Sequence, residues 1–335
     1  MRFSIIIPVH NGEKTIERLL GSLIIQRHAI HEVLVCNDHS SDKTVDVVRQ
    51  YKNLLPILVL NVPDEIGYSP GNARQYGLDY ATGDWAVFAD ADDILTFNAI
   101  GYYKKAIEAN DKARIICGAF DEVNFDPFFV IEHMSSPLAW VHAKAFNINH
   151  IREHGLRFHP TLYTHEDKYF TMLNLLDIRL SGFEPVMQDV TTYYWCRSEG
   201  TIVSRDNGKY PILSLVDSMD AIIEPVRLLS EKYGLNRDQV IANVGEGLFQ
   251  SVIEAYYKFQ GAVFKWGDSI LEENNLAERV MERISKVREM TGWTNQDIVD
   301  LCYENVKVFN DMKGDTVRTI GEFVPYQTIH EFLNV

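Results

Sequence analysis

The sequence predicts an α/β protein with a mostly parallel sheet flanked by helices, followed by an α-helical C-terminal region. Through the first hundred residues, short apolar runs alternate with segments of helical periodicity, which is typical of parallel strands joined by crossover helices. From about Tyr210 onward, apolar residues recur at three- and four-residue spacing. We therefore expect one domain over residues 1–205 and a helical domain over residues 206–335.

The elements of the first domain follow from apolar runs, apolar helix faces and helix stops. Phe3 to Ile7 is almost entirely apolar, as expected of a strand that is buried on both faces. Ser40 or Ser41 is expected to cap the second helix. The predicted order is strand 3–7, helix 15–25, strand 32–37, a helix after Ser41, strand 57–60, helix 71–81, strand 85–89, a helix from Thr96 and strand 114–119. Ligands of such sheets bind beyond the carboxyl ends of the strands, so polar residues at those ends are candidates for a site.

Composition and charge narrow the classes of function. The formal net charge is -15, which disfavours a nucleic acid as the main partner because phosphate backbones are bound by basic faces. The four cysteines are far apart in sequence, as in a reduced, cytoplasmic protein with buried thiols. The apolar N-terminal run is too short for a signal peptide, and no run of about eighteen apolar residues predicts a membrane span. Peripheral attachment to the inner membrane face and self-association through the C-terminal helices stay open.

Three carboxylates follow the apolar run from Trp85 to Ala89. Asp90, Asp92 and Asp93 crowd like charges at the end of a predicted strand, and such charges repel one another. Mg²⁺ or Mn²⁺ would offset that repulsion, because both ions prefer carboxylate oxygens and share their remaining positions with substrate phosphates. The alternative is a solvated turn in which Asp93 caps the next helix.

Asp38 ends the second predicted strand, where a carboxylate can accept the imide N–H of a uracil ring. Its alternative role is helix capping. The loop from Pro8 to Glu13 follows the first strand but lacks the G-x-G-x-x-G pattern of dinucleotide-binding folds, which argues against a dehydrogenase. The loop is also not a glycine-rich triphosphate loop, which argues against a sugar-phosphate nucleotidyltransferase.

Four motifs in order resemble those of a family 2 glycosyltransferase with the GT-A fold, a Rossmann-like mostly parallel sheet flanked by helices. They are Pro-Val-x-Asn from Pro8, Asn-Asp-x-Ser-Ser-Asp-x-Thr from Asn37, Gly-Asn-Ala-Arg-x-x-Gly-Leu-x-x-Ala-Thr-Gly-Asp from Gly71, and Asp-Ala-Asp-Asp from Asp90. The resemblance covers roughly residues 1–205. It implies an enzyme that uses a nucleotide-sugar donor.

The resemblance assigns donor roles to the matching positions. It implies that Pro8 and Asn11 line the nucleoside pocket and that Asp38 reads the base. Arg74 would approach the diphosphate, although a surface helical arginine is the alternative. The Asp-x-Asp element implies that Asp92 binds Mn²⁺ or Mg²⁺ directly and that Asp90 holds ribose or metal-bound water.

Two later segments resemble acceptor-side elements of the same family. Trp140 and Lys144 match a Trp-x-Lys-x-Phe element, which often only packs. Glu166-Asp167 matches the family's Glu-Asp pair, which implies that Asp167 is the catalytic base and makes Glu166 its competitor for that role. The alternative for the pair is a helix start with acidic residues at its positive end.

A final segment resembles the family's loop that covers the donor. Arg197 would supply positive charge or stack near the nucleotide, and Glu199 stands near the place where some relatives carry a histidine as third metal ligand. The remaining histidines are interpreted as lacking metal-ligand spacing and as mostly structural or exposed; they include His150, His154, His159 and His165.

These features together predict an inverting, metal-dependent glycosyltransferase active in polysaccharide biosynthesis. It would move a hexosyl or N-acetylhexosaminyl group from a UDP-sugar to a hydroxyl of a saccharide, glycolipid, wall polymer or protein. A non-catalytic glycosyltransferase-like binding protein is the alternative outside enzymes.

Overall fold

The computed structural model describes residues 1–125, 128–134, 140–197, 212, 214–266, 272 and 275–301, with the backbone alone over 257–266. The chain divides into two compact units, Met1–Thr201 and Ile202–Val335. The domain boundary expected after residue 205 stays a prediction, because residues 198–211 lie outside the described part of the chain.

The first unit alternates strands and helices. Its elements are β1 (Phe3–Val9), α1 (Ile16–Ile25), β2 (Glu32–Asn37), α2 (Thr44–Gln50), β3 (Ile57–Asn61), α3 (Pro70–Tyr80), β4 (Trp85–Phe88), β5 (Ile94–Leu95), α4 (Ala99–Ala109), β6 (Ile115–Phe125), β7 (Phe128–His133), β8 (Lys144–Asn147), α5 (Ile148–His154), α6 (Glu166–Leu180) and β9 (Val186–Cys196). The helix expected from Thr96 begins three residues later, at Ala99. Thr96 instead follows β5, which pairs with β9, and its hydroxyl donates to the carbonyl of Thr191 (3.0 Å) on β9.

One nine-stranded sheet carries the first unit, in the order β3-β2-β1-β4-β8-β6-β9-β5 with β7 paired to β6. Strands β1 to β4 are mutually parallel, as the alternation of strands and helices predicts. Strand β8 runs antiparallel to both β4 and β6, so the second half of the sheet is mixed. The described residues between β6 and β8 form a hairpin strand rather than a crossover helix, and antiparallel neighbours need no crossover.

Close packing fixes the helices that border the carboxyl edge of the sheet. A Cβ added at Gly77 of α3 would lie 2.6 Å from both Cys36 Sγ and Ile6 Cγ2, so glycine lets α3 settle onto β1 and β2. An aromatic cluster joins β4 to α6: Phe158 and Phe170 stack at 3.9 Å, and Phe88 meets both rings edge-on. The end of β4 and the start of α6 therefore share one rigid support.

The predicted cap of the second helix is wrong. Helix α2 begins at Thr44, and the carboxylate of Asp42 accepts the Thr44 N–H (2.9 Å) at its start. Ser40 and Ser41 bond to the loop after β1 instead, with the Ser40 hydroxyl accepting the Asn11 N–H (2.9 Å). These serines therefore tie two strand ends together rather than starting a helix.

The second unit is helical in its described part, as predicted. Its helices are α7 (Leu215–Tyr233), α8 (Arg237–Trp266) and α9 (Leu276–Thr291). Their buried apolar faces meet, and Arg283 of α9 forms an ion pair with Asp220 of α7 (2.9 Å). Of the helices in the described ranges, none combines the length and the apolar character that a membrane crossing requires.

The described cysteines are buried free thiols: Cys36, Cys117 and Cys196. Burial raises the pKa of each thiol, to about 12 for Cys36. Such thiols are unreactive at neutral pH, and their burial confirms the prediction of buried thiols for these three cysteines. Cys302 lies outside the described residues.

Candidate functional site

The loops after β1 and β2 form one hydrogen-bonded rim at the carboxyl edge of the sheet. The Asp38 N–H donates to the carbonyl of Val9 (2.8 Å), and the Ser41 N–H donates to Asn11 Oδ1 (2.8 Å). Asn11 has a φ of 54°, a left-handed conformation that asparagine tolerates better than most residues. Pro8, Asn11 and Asp38, which were predicted to serve the nucleoside, therefore lie on neighbouring strand ends.

Asp38 does not cap a helix but faces His39. His39 Nδ1 lies 3.0 Å from Asp38 Oδ1, and its Nε2 lies 2.6 Å from Asp64 Oδ1. The hydrogen bond to Asp38, followed by that to Asp64, raises the pKa of His39. The ring of Tyr68, which is 57% exposed, packs against the ring of His39 at 4.2 Å, with the two planes tilted by 47°. The rim therefore offers a carboxylate that can accept a hydrogen bond and an exposed aromatic ring. A planar nucleobase can use both.

The three aspartates after β4 have separate environments. Asp93 is buried and accepts hydrogen bonds from the Tyr193 hydroxyl (2.6 Å) and the Cys196 N–H (2.8 Å), both on β9. Burial, and then the charges of Asp90 and Asp92, raise the pKa of Asp93 well above its usual range. The residue that precedes α4 is Asn98, so the alternative of helix capping by Asp93 is wrong. Asp93 anchors the turn, while Asp90 and Asp92 are partly exposed.

Arg74 lies at the centre of the site rather than on the surface. Its guanidinium donates to Glu166 Oε1 (2.6 Å) and to Asp90 Oδ1 (2.5 Å), and only 4% of the residue is exposed. Burial alone would lower the pKa of Arg74, but the adjacent carboxylates outweigh burial and raise it. Arg74 thus joins the end of β4 to the start of α6, and its predicted role toward a diphosphate stays a prediction.

A glycine permits this close approach of α3 and α6. A Cβ added at Gly71, one turn before Arg74, would lie 2.8 Å from Glu166 Cγ and 3.0 Å from Glu166 Cβ. Any larger side chain would push the Glu166 backbone and its neighbours away from Arg74. The Gly-x-x-Arg spacing of α3 therefore sets the geometry of the ion pair.

The two carboxylates that open α6 differ in accessibility. Glu166 is buried and paired with Arg74, whereas Asp167 is partly exposed. Burial raises the pKa of Glu166 to about 7 and also raises the pKa of Asp167, with the charge of Arg74 opposing both shifts. Electrostatic interactions of Asp167 with Arg74, Asp90 and Lys144 show that it belongs to the same cluster.

A buried lysine and an exposed indole border the cluster on β8. Antiparallel pairing of β8 with β4 brings Lys144 beside the carboxyl end of β4. Lys144 Nζ donates to the carbonyl of Trp140 (2.6 Å), and burial lowers the pKa of Lys144. The Trp140 residue is 42% exposed, and its ring packs against Phe120 at 5.5 Å. Trp140 therefore presents a flat apolar surface next to Lys144 and His142.

His142 is a site residue that the motif analysis missed. Its ring stacks on Tyr193 at 4.7 Å, and burial, followed by the charge of Lys144, lowers the pKa of His142 to about 3. A neutral imidazole thus separates the Trp140 surface from the tyrosine that holds the aspartate turn. The available signal was its position between Trp140 and Lys144 in the Trp-x-Lys-x-Phe element, but a variable position in a motif carries no assignment.

Arg197 is followed by residues outside the described part of the chain, and its ion-pair partner is not one of the aspartates after β4. Its Nε donates to a carboxylate oxygen of Glu122, and its guanidinium lies 5.4 Å from the ring of Phe129. Its predicted role at the nucleotide stays a prediction. Glu199 and the rest of the expected donor-covering loop lie outside the described residues.

The donor set at the end of β4 fits a hard divalent cation. Asp90 and Asp92 offer oxygen atoms at a partly exposed strand end, and Mg²⁺ and Mn²⁺ select oxygen ligands. Arg74 holds one Asp90 oxygen, and Arg18 donates to the main-chain carbonyl of Asp92. Two arginines therefore hold the turn in place, and a metal site requires ligands that are held in fixed positions.

Comparison with known proteins points to one family. The model of glycosyl transferase family 2 matches residues 4–170. Poly(ribitol-phosphate) beta-N-acetylglucosaminyltransferase TarS of Staphylococcus aureus is 27% identical over 217 residues, which cover 61% of this chain and 37% of that protein. Poly(ribitol-phosphate) beta-glucosyltransferase of Bacillus spizizenii is 27% identical over 218 residues, which cover 61% and 34%. The chain thus spans about a third of the length of these relatives.

A solved structure shares the fold. The crystal structure of S. aureus TarS 1–349 in complex with UDP-GlcNAc matches with a TM-score of 0.62 at 22% identity, covering 99% of this chain and 91% of that one. At this identity the likeness shows the fold alone. It confirms the predicted GT-A class with additional C-terminal helices.

Proposed function

Because this chain belongs to glycosyl transferase family 2, we propose that it transfers a hexosyl or N-acetylhexosaminyl group from a UDP-sugar to an acceptor hydroxyl. One observation carries the proposal. The nucleoside rim, the Asp90–Asp92 turn and the accessible Asp167 meet at the carboxyl edge of one sheet, where α/β folds bind ligands.

The rim is proposed to hold the uridine. Asp38 would accept the imide N–H of uracil, and Tyr68 offers an exposed ring against which the base can stack. Pro8 and Asn11 would shape the pocket around the ribose. The UDP-GlcNAc complex of the structurally similar TarS supports a UDP-sugar as donor.

Asp92, with Asp90 beside it, is proposed to hold Mn²⁺ or Mg²⁺ together with the diphosphate. When bound there, such a cation would offset the negative charge that develops on the departing UDP. The protein's own part is to keep the turn in place: Asp93 is bonded to β9, and Arg74 fixes one oxygen of Asp90. These contacts keep the turn that carries Asp92 at the carboxyl edge of the sheet, where the donor would bind.

Asp167 is proposed as the general base. It would take the proton from the acceptor hydroxyl as that oxygen attacks the anomeric carbon opposite the UDP, and this single displacement inverts the configuration. The raised pKa of Asp167 suits a group that must bind a proton. Glu166 is the weaker candidate because Arg74 holds its carboxylate.

The acceptor is proposed to be a hydroxyl-rich polymer that rests on Trp140. An exposed indole offers the apolar face on which sugar rings and polyols commonly pack, and Lys144 supports the main chain beneath it. Both curated relatives act on poly(ribitol-phosphate), which favours a wall polymer over a protein acceptor. A cytoplasmic location with peripheral membrane association is part of the same proposal.

A transfer assay on the full chain tests the function. UDP-sugars, GDP-sugars and dTDP-sugars are supplied with Mn²⁺ and a poly(ribitol-phosphate) acceptor, and nucleotide release and polymer labelling are measured together. We expect a UDP-sugar to be consumed with an inverted product. Thermal stabilisation by UDP without transfer or hydrolysis of any UDP-sugar would support a binding protein instead.

A further inference from the structure

A second polar cluster is formed by residues of α5 and α6. His150 Nε2 is 2.9 Å and His154 Nδ1 is 2.6 Å from the same oxygen, Oδ2 of Asp177. The two imidazole rings stack at 4.1 Å. All three donor atoms lie within 4.8 Å of one another, so one ion could contact them together.

The structure brings together two of the histidines that the sequence interpretation took as mostly structural or exposed. His150 and His154 are four residues apart on α5, which places both rings on one helical face. Asp177 comes from the middle of α6, 23 residues after His154 in the chain, so no local motif contains all three ligands. The spacing of four is a metal-ligand spacing once a helix is assigned to it.

We propose that His150, His154 and Asp177 bind one Zn²⁺ ion that fastens α5 to α6. Two imidazole nitrogens and one carboxylate oxygen form a ligand set typical of zinc, in contrast to the oxygen-only set at Asp92. A tetrahedral ion with bonds of about 2.0 Å keeps its ligand atoms about 3.3 Å apart, so the hydrogen-bonded atoms need to separate by less than about 1 Å. Each imidazole would bind through the nitrogen that now faces Asp177 and keep its proton on the other.

Burial explains why an ion would be useful here. The Asp177 side chain is completely buried and that of His150 is 5% exposed, whereas the His154 side chain is 26% exposed. The two imidazoles already contact the buried Asp177 carboxylate, and a bound ion would add a full positive charge to that compensation. His154 provides the route from solvent, and a water or other ligand would complete the fourth position on that side.

The expected role of the zinc is to position α6. Glu166 and Asp167 lie in the first turn of the helix that Asp177 would anchor. The ion would be distant in sequence from both carboxylates and would act on them only through the helix. Its loss is therefore expected to lower thermal stability before it lowers the affinity for UDP.

Zinc binding can be measured directly on the full chain. Chelator-treated protein is titrated with Zn²⁺ by calorimetry in excess Mg²⁺, which is added to saturate the proposed oxygen-only site at Asp92. We expect one equivalent to bind in the wild type and in Asp92→Asn. His154→Ala should weaken binding by more than the roughly 10–100-fold cost of losing an outer-shell partner. His28→Ala, which removes an exposed histidine outside the cluster, should bind like the wild type.

Two further readouts keep the result decisive if a variant folds poorly. Zn²⁺ should raise the melting temperature of the wild type and of His28→Ala by several degrees but leave that of His154→Ala unchanged. Co²⁺ in the wild type should give the intense visible absorption of a tetrahedral site. Zinc binding that disappears in Asp92→Asn, equal affinities of His154→Ala and His28→Ala, or no binding at all would overturn the proposal.

Discussion

The nucleoside end and the centre of the site hold their charges in opposite environments. At the nucleoside end, His39 is paired with Asp64, whose side chain is 83% exposed. At the centre, Arg74 is almost fully buried and bridges carboxylates from β4 and α6. The ion pair at the nucleoside end is thus exposed to water, whereas the ion pairs at the centre are shielded from it.

This difference determines how each end should respond to substitution. Exposed ion pairs contribute about 0–1 kcal/mol, whereas removal of one partner from a buried pair costs about 3–5 kcal/mol. Substitutions at the centre should therefore lower both stability and turnover, and the effects of two such substitutions should not be additive. Substitutions at the nucleoside end should each change nucleotide binding independently of the others.

The largest effect is expected at the proposed metal turn. Asp92→Asn should lower transfer by about 10³-fold or more, because metal stabilisation of a leaving group contributes several kcal/mol. Mn²⁺-dependent UDP binding should weaken in parallel, measured by calorimetry at several Mn²⁺ concentrations. Asp64→Asn, at the exposed end, serves as the matched carboxylate control. An unchanged Mn²⁺ dependence in Asp92→Asn would mean that the turn is only structural.

Arg74→Lys tests whether the centre responds as a unit. Lysine keeps the charge but lacks the planar fork that reaches both Asp90 and Glu166, so the free energy of unfolding should fall by about 3 kcal/mol. The control is Arg157→Lys, because Arg157 makes the same kind of two-bond pair with Asp79 on the surface. That change should cost less than about 1 kcal/mol. Equal losses in denaturant unfolding would remove the distinction between the two environments.

The pH dependence of transfer should reflect the two carboxylates at the start of α6. Burial raises the pKa of Glu166 to about 7 and also raises that of Asp167. A protonated carboxyl cannot accept the proton of the acceptor, so kcat/KM should fall as pH drops through the raised pKa of Asp167, by about tenfold per unit below it. A profile that stays flat down to about pH 4, the range of an ordinary aspartate, would contradict this assignment.

The smallest effect is expected at the nucleoside end. Asp38→Ala should weaken UDP binding about tenfold and leave GDP binding unchanged, because one hydrogen bond to a charged group is lost. The melting temperature should change little, since the rim is also held by main-chain bonds. Asp64→Ala removes the other partner of His39 and should keep the preference for UDP. Equal weakening of UDP and GDP in Asp38→Ala would show that Asp38 does not read the base.

The same contrast explains how much of the molecule the sequence predicts. The rim and the aspartate turn follow directly from strands, since Asn11, Asp38 and Asp90 come just after buried apolar runs. The partners of Arg74 and the packing of His142 depend on segments up to about a hundred residues apart. Periodicity cannot show which of two adjacent carboxylates faces a site, nor that two histidines on α5 meet an aspartate on α6.

The central claim is that Arg74 holds Glu166 and leaves Asp167 to act as the base. The direct test compares kcat for Asp167→Asn and Glu166→Gln with their UDP affinities measured in Mn²⁺. Asp167→Asn should lose about 10²- to 10⁴-fold in kcat with unchanged UDP affinity. Glu166→Gln should keep more turnover and show a lower melting temperature. Near-normal turnover in Asp167→Asn together with an inactive Glu166→Gln would contradict the account.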